Sequence, residues 1–213
     1  MKIVLLVLYA IAVVVHLYFC FIEKESARKI TKLFLMPLLL VIYCTMTHNI
    51  LPGIIIALCA GFLGDYFLLK IEVTSYFMLG LGFFFIGHIS YIISILQYVE
   101  WNILRATAIL VVAVLLLTFL YLYLIRKMPK KLQTPGLFYL AVLLCLLGSS
   151  CLALWQQITL ESILLGIGAL SFCISDFLLA ESTFLKKIKK ENFYIMLTYI
   201  TAQTLIVTSF MLL

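Results

Sequence analysis

The amino-acid sequence predicts an all-α membrane protein of eight transmembrane helices. Three observations carry the prediction: the side chains are overwhelmingly apolar, the few charges fall between long apolar runs, and those runs do not alternate. Of 213 residues, 66% are hydrophobic and 11% are charged, against about 45–50% and about 25% in soluble domains. The mean hydropathy is +1.24. Surface-to-volume scaling leaves a chain of this size too much surface to hide such a composition from water. Lipid must be its solvent, and a spanning helix needs roughly 20 apolar residues. An eight-stranded outer-membrane barrel would alternate apolar and polar residues in segments of about 10, whereas residues 109–117 are continuously apolar.

Taken in order, the first expected span covers residues 2–21. It superficially resembles a signal peptide, but its apolar run is too long. Tyr18, Phe19, Cys20 and Phe21 offer no small-x-small cleavage site, so a retained helix is expected. The second, 30–47, is short and contains Pro37, which membrane helices tolerate because neighbours satisfy the freed carbonyl. The third, 51–69, and the seventh, 160–180, each carry an aspartate near one end. The fourth (76–98), fifth (103–125), sixth (135–154) and eighth (193–213) complete the set. No connection is long enough for a soluble domain and no Pro-rich or Gly/Ser-rich linker divides the chain. A single transmembrane domain over 1–213 is expected.

The formal charge is +6, and its placement explains it. Thirteen of the fifteen Lys and Arg residues flank the same ends of successive spans; only Lys2 and Arg105 lie at the other ends. The positive-inside rule makes the rich side cytoplasmic and puts both termini outside the cytoplasm. The basic excess is therefore a topology signal, with attraction to anionic membrane lipid second, and no nucleic-acid partner is expected. The composition suits a bacterial inner membrane. Six cysteines lie inside apolar runs without CxxC spacing. They read as packing residues, and neither a metal site nor another cofactor is expected.

Two carboxylates fall where lipid should exclude them. Asp65 and Asp176 each follow a small residue, Gly64 or Ser175, and each precedes an apolar run near the basic end of its helix. An intramembrane carboxylate is costly and marks a functional site by default. At 1.5 Å per residue, each lies roughly 7 Å from the expected helix end. Four spans separate the two motifs, which suggests two four-helix halves repeated in parallel. The small neighbours allow another backbone to approach. Pairing with an interfacial lysine for folding alone is the bland alternative. Two carboxylates sharing a site would instead divide into acid and base.

Other polar groups lie in the same half of the spans. Lys32 sits at the edge of the second. His88 and Tyr91 share a face of the fourth, and Tyr199 and Gln203 share a face of the eighth. Counted from the helix ends, His88 and Gln203 lie about 10 Å deeper than the aspartates, so direct contact is not implied. His16 and His48, near span ends, read as structural.

These residues resemble the YhhN-like lysoplasmalogenase family. Residues 60–69, containing Gly64 and Asp65, are similar to its GD motif. Residues 79–91, with Gly87, His88 and Tyr91, residues 168–176 ending at Ser175 and Asp176, and Tyr199 to Gln203 follow in the expected order. In the family a Lys-Pro pair is common in the second span; here Leu33 follows Lys32. The resemblance implies an integral-membrane hydrolase that cleaves the vinyl ether of lysoplasmalogens, releasing a fatty aldehyde and a glycerophospho-ethanolamine or -choline. Asp65, Asp176 and His88 would be catalytic. Lys32, Tyr91, Ser175, Tyr199 and Gln203 would contact the lysophospholipid. The alternative from another class is a small proton-coupled transporter using the same aspartates as a relay.

Overall fold

The computed structural model describes residues 2–213, and every regular element among them is helical. Eight helices follow one another: α1 Lys2–Phe21, α2 Glu25–Met46, α3 Pro52–Phe67, α4 Thr74–Leu96, α5 Ile103–Tyr123, α6 Lys130–Gln156, α7 Leu160–Phe184 and α8 Glu191–Leu212. Each is long and apolar enough to cross a membrane, α3 together with the short 3-10 turn Leu68–Lys70 that continues it. The protein is a multi-pass membrane protein.

Three helices run four or five residues past the apolar segments that announce them. α2 begins at Glu25 rather than 30, α6 at Lys130 rather than 135, and α7 continues to Phe184 rather than 180. The reason is that lipid limits only the apolar stretch. Backbone hydrogen bonding continues into the headgroup layer wherever good helix formers such as Glu, Lys and Ala follow. The Glu25–Lys29 pair, one turn apart, supports the extra turn of α2. Pro37 and Pro135 both lie inside helices, each removing one backbone donor.

The packing partners recur four helices on. α3 lies closely against α4 and α7 against α8; α2 touches α3 and α8, while α6 touches α7 and α4. The peripheral helices break the pattern. α1 packs on α2 and also on α8, whereas α5 packs on α6 and its adjoining turn. No residue of α5 is buried. The central helices approach through glycines. A Cβ on Gly168 would lie 2.8 Å from Ile206 Cγ1 and 3.1 Å from the Ile206 backbone nitrogen, so α7 and α8 touch there with no spare room. His16 is buried at the α1–α2 interface, hydrogen-bonded to Thr31 Oγ1 at 2.8 Å and to Cys20 Sγ at 3.4 Å. It belongs to the packing.

Two glycines separate close approach from mere helix propensity. Gly168→Ala is expected to destabilise the fold by about 1–3 kcal/mol through overpacking. Gly82, where an added methyl would meet nothing within 4 Å, should tolerate alanine and gain about 0.5–1 kcal/mol. Denaturant unfolding in detergent, followed by circular dichroism, reads both.

Candidate functional site

Asp65 lies in the last turn of α3 and is 2% exposed. Both carboxylate oxygens are engaged. Lys32 Nζ of α2 is 3.0 Å from Oδ1, and the Tyr199 hydroxyl of α8 donates to Oδ2 at 2.9 Å. The network continues inward. Gln203 Nε2 donates to the Tyr199 oxygen at 3.5 Å, and Tyr91 of α4 donates to Gln203 Oε1 at 2.6 Å. Lys32 is itself buried, 8% exposed, because α2 begins two turns earlier and carries it into the bundle. It is a buried counter-ion rather than an edge residue.

Asp176 on α7 has a different shell. Tyr139 of α6 donates a short hydrogen bond to its Oδ2. His88 Nε2 of α4 lies 3.0 Å from the Tyr139 oxygen and 3.8 Å from Asp176 Oδ2. A hydroxyl has one proton to give. With that proton on the Asp176 bond, the Tyr139 oxygen accepts from an Nε2–H imidazole. The arrangement links His88 to Asp176 through Tyr139, closer than the count from the helix ends implied. α7 runs to Phe184, so Asp176 lies two turns, about 12 Å, from its helix end, and the Tyr139 side chain spans what remains. Gln203 likewise reaches Asp65 through Tyr199.

Between the two shells stand Phe84, Phe172 and Tyr199, packed edge to face with ring centres 5.6–6.4 Å apart. The His88 ring stands edge-on to Phe172 at 4.5 Å. A Cβ on Gly64 would meet the Phe84 ring at 2.7 Å, so the glycine before Asp65 is what admits this ring.

Two cavities open beside the aspartates. One, of about 90 Å³, is polar and holds Asp65, Asp176 and Lys32, with Arg28, Glu72 and Asn192 toward the basic end. The other, of about 100 Å³, is apolar and lies between α4, α5, α6 and α7; Asp176 and Tyr139 are its polar members. Leu68, Phe84, Asp176 and Leu179 line both. Ser175 lines the polar cavity, but its hydroxyl donates to the Ile195 carbonyl at 3.1 Å and so also ties α7 to α8. Tyr91 and Gln203 line neither cavity; they stand behind Tyr199.

Tyr139 escaped sequence reasoning. It is one of twelve tyrosines, in an apolar run without a motif, and only its contact with Asp176 distinguishes it. A sequence signal does exist for its partner: the offset that carries Asp65 onto Asp176 also carries His88 onto Tyr199. The two residues hold corresponding carboxylates.

The Lys32–Asp65 pair makes a measurable demand on stability. Lys32→Met strands a buried carboxylate and is expected to cost about 3–5 kcal/mol, whereas adding Asp65→Leu should recover most of that loss. A double-mutant cycle on unfolding free energies reads the coupling.

The sequence profile of the YhhN family matches residues 27–210. No curated protein and no solved structure matches the chain. The matched stretch takes in both aspartates, both their shells and seven of the eight helices in whole or nearly so, and the chain belongs to the YhhN family.

Proposed function

We propose that this protein hydrolyses the vinyl ether bond of alkenyl lysophospholipids, releasing a fatty aldehyde and a glycerophospho-base. The observation that carries the reading is the pair of unlike carboxylates on one polar cavity. Asp65 faces a lysine and accepts from a tyrosine, so both of its oxygens are committed. Asp176 has no lysine or arginine against it and is bonded through Oδ2 alone. Its Oδ1 is free to carry and deliver a proton.

The chemistry asks for such a division. Asp176 gives its proton to the β-carbon of the vinyl ether, and the α-carbon becomes an oxocarbenium ion. Asp65, held in place by Lys32 and Tyr199, faces that cation across the cavity and stabilises it. Water adds to the α-carbon and returns a proton to Asp176. The hemiacetal then collapses to an aldehyde and a glycerol hydroxyl. The logic parallels the two-carboxylate solution for glycosides. Tyr139 and His88 orient Asp176; Lys32, Tyr199, Gln203 and Tyr91 orient Asp65. Arg28, beside Lys32 on the same cavity, suits the lipid phosphate. In this reading the basic end faces the cytoplasm of a bacterial inner membrane, and the carboxylates lie just beneath the headgroups, level with the ether of a lysolipid.

Purified protein should release aldehyde from a 1-alkenyl lysophosphoethanolamine. Asp176→Asn and Asp65→Asn should each lower kcat by about 10²–10⁴-fold, with a smaller loss in Tyr139→Phe. Folded wild-type protein that leaves alkenyl lysolipids of varied headgroup intact would sink the reading. One observation favours a proton-coupled transporter instead: the Tyr91–Gln203–Tyr199–Asp65 chain is a continuous hydrogen-bonded path into the bundle. Solute uptake by proteoliposomes under a pH gradient, without lipid turnover, would establish that alternative.

A further inference from the structure

We propose that the apolar cavity between α4, α5, α6 and α7 holds the single hydrocarbon chain of the lipid substrate, admitted from the bilayer through the seam between α5 and α7. The occupant rests on the hydrolase reading for its head end, but its chain chemistry is argued from the cavity itself.

The cavity exists because the two halves of the bundle close differently. In the first half α1 packs against α8, with Tyr9 hydrogen-bonded to Thr204 at 2.8 Å. In the second half α5 makes no comparable packing against α4. The space left over is this cavity. It lies against Asp176 and not Asp65. Its walls are Leu81, Leu120, Leu140, Leu143 and Leu144, with nothing polar to meet a ligand except Tyr139 and Asp176 at one side.

Continuity fixes the occupant's shape. Leu68, Phe84, Asp176 and Leu179 belong to both cavities, so a molecule lying across them is polar at one end, apolar at the other, and jointed at Asp176. That is a one-chain amphiphile. This chamber adjoins the polar cavity at those four residues, which suits the single chain of a lysolipid, and competition by diacyl lipid tests the selection. A chain coming from lipid gains no hydrophobic free energy by moving into protein, so the chamber selects by shape.

The way in is the weakest wall. α5 buries no side chain. Its link to α7 is an aromatic column: Phe119 stacks on Tyr123 at 6.1 Å, and Tyr123 stacks on Phe177, next to Asp176, at 6.1 Å. Rotation of Tyr123 off Phe177 opens the chamber sideways without disturbing α6 or α7.

The test uses the full chain in lipid nanodiscs and a non-cleavable 1-O-alkyl lysophosphoethanolamine with a diazirine near the chain terminus. Light-induced labels should concentrate on Leu140, Leu143 and Leu144, the chamber residues deepest from the basic end. An unlabelled single-chain ether lysolipid should suppress them, and a diacyl phosphatidylethanolamine should not. Leu140→Trp, or Leu144→Trp if the first does not fold, should reduce this labelling about tenfold by filling the chamber. Leu115→Trp, on the lipid-facing side of α5, should leave it unchanged. Labels spread evenly over lipid-facing helices, or competed equally by diacyl lipid, would overturn the proposal; the competition experiment decides this even if neither chamber variant folds. Localised labelling on a protein that releases no aldehyde would remove the hydrolase reading and keep the chain site. Aldehyde release with scattered labelling would do the reverse.

Discussion

The ion pair between Lys32 and Asp65 is the constraint around which the bundle is organised. Taking two charges out of water is expensive, and their attraction offsets the cost only when the geometry is good and the remaining lone pairs are satisfied. Here the Tyr199 hydroxyl supplies the second partner, and Gln203 and Tyr91 satisfy Tyr199 in turn. One buried carboxylate thereby ties α2, α3, α4 and α8 together. Each of these side chains would be a liability alone in an apolar bundle. Together they fix which faces of four helices look inward, and Gly61 leaves the room that Gln203 needs, a Cβ there lying 3.3 Å from Nε2.

Asp176 repeats the plan with different chemistry. Its holders come from α6 and α4, the counterparts of α2 and α8, but they are Tyr139 and His88 rather than a lysine and a tyrosine. Near-repetition places two carboxylates on one cavity; the substitution of partners makes them unlike. The proposed reaction needs that unlikeness, since a proton donor and a fixed negative charge cannot be the same group. The peripheral helices add a second asymmetry. α1 closes its half and α5 leaves its half open, so the apolar chamber borders the aspartate with the free oxygen.

Much of the fold is legible in the sequence. Eight apolar runs correspond to eight helices, and the boundaries that differ, at Glu25, Lys130 and Phe184, extend into charged segments where lipid no longer sets the limit. The aspartates are legible too, because an isolated carboxylate in an apolar run is conspicuous. Lys32, Tyr199 and Gln203 stand out as candidates, but not the order in which they connect. Residue counting sets His88 too far from Asp176, since counting along separate helices from separate ends carries no common origin. Tyr139 is invisible: nothing in its apolar surroundings sets it apart from the other tyrosines until α6 lies against α7.

What the amino-acid sequence determined by itself is the solvent, the number of helices, the basic end and the two costly carboxylates, because each follows from transfer free energy along one chain. The packing of the helices settles that Asp65 is paired with a lysine and Asp176 is not, that His88 meets Asp176 through Tyr139, and that one half of the bundle is open beside its aspartate. Those are properties of distances between helices. Side-chain contacts of a few ångströms depend on how glycines such as Gly64 and Gly168 let the helices approach, and no pattern along a single helix encodes that.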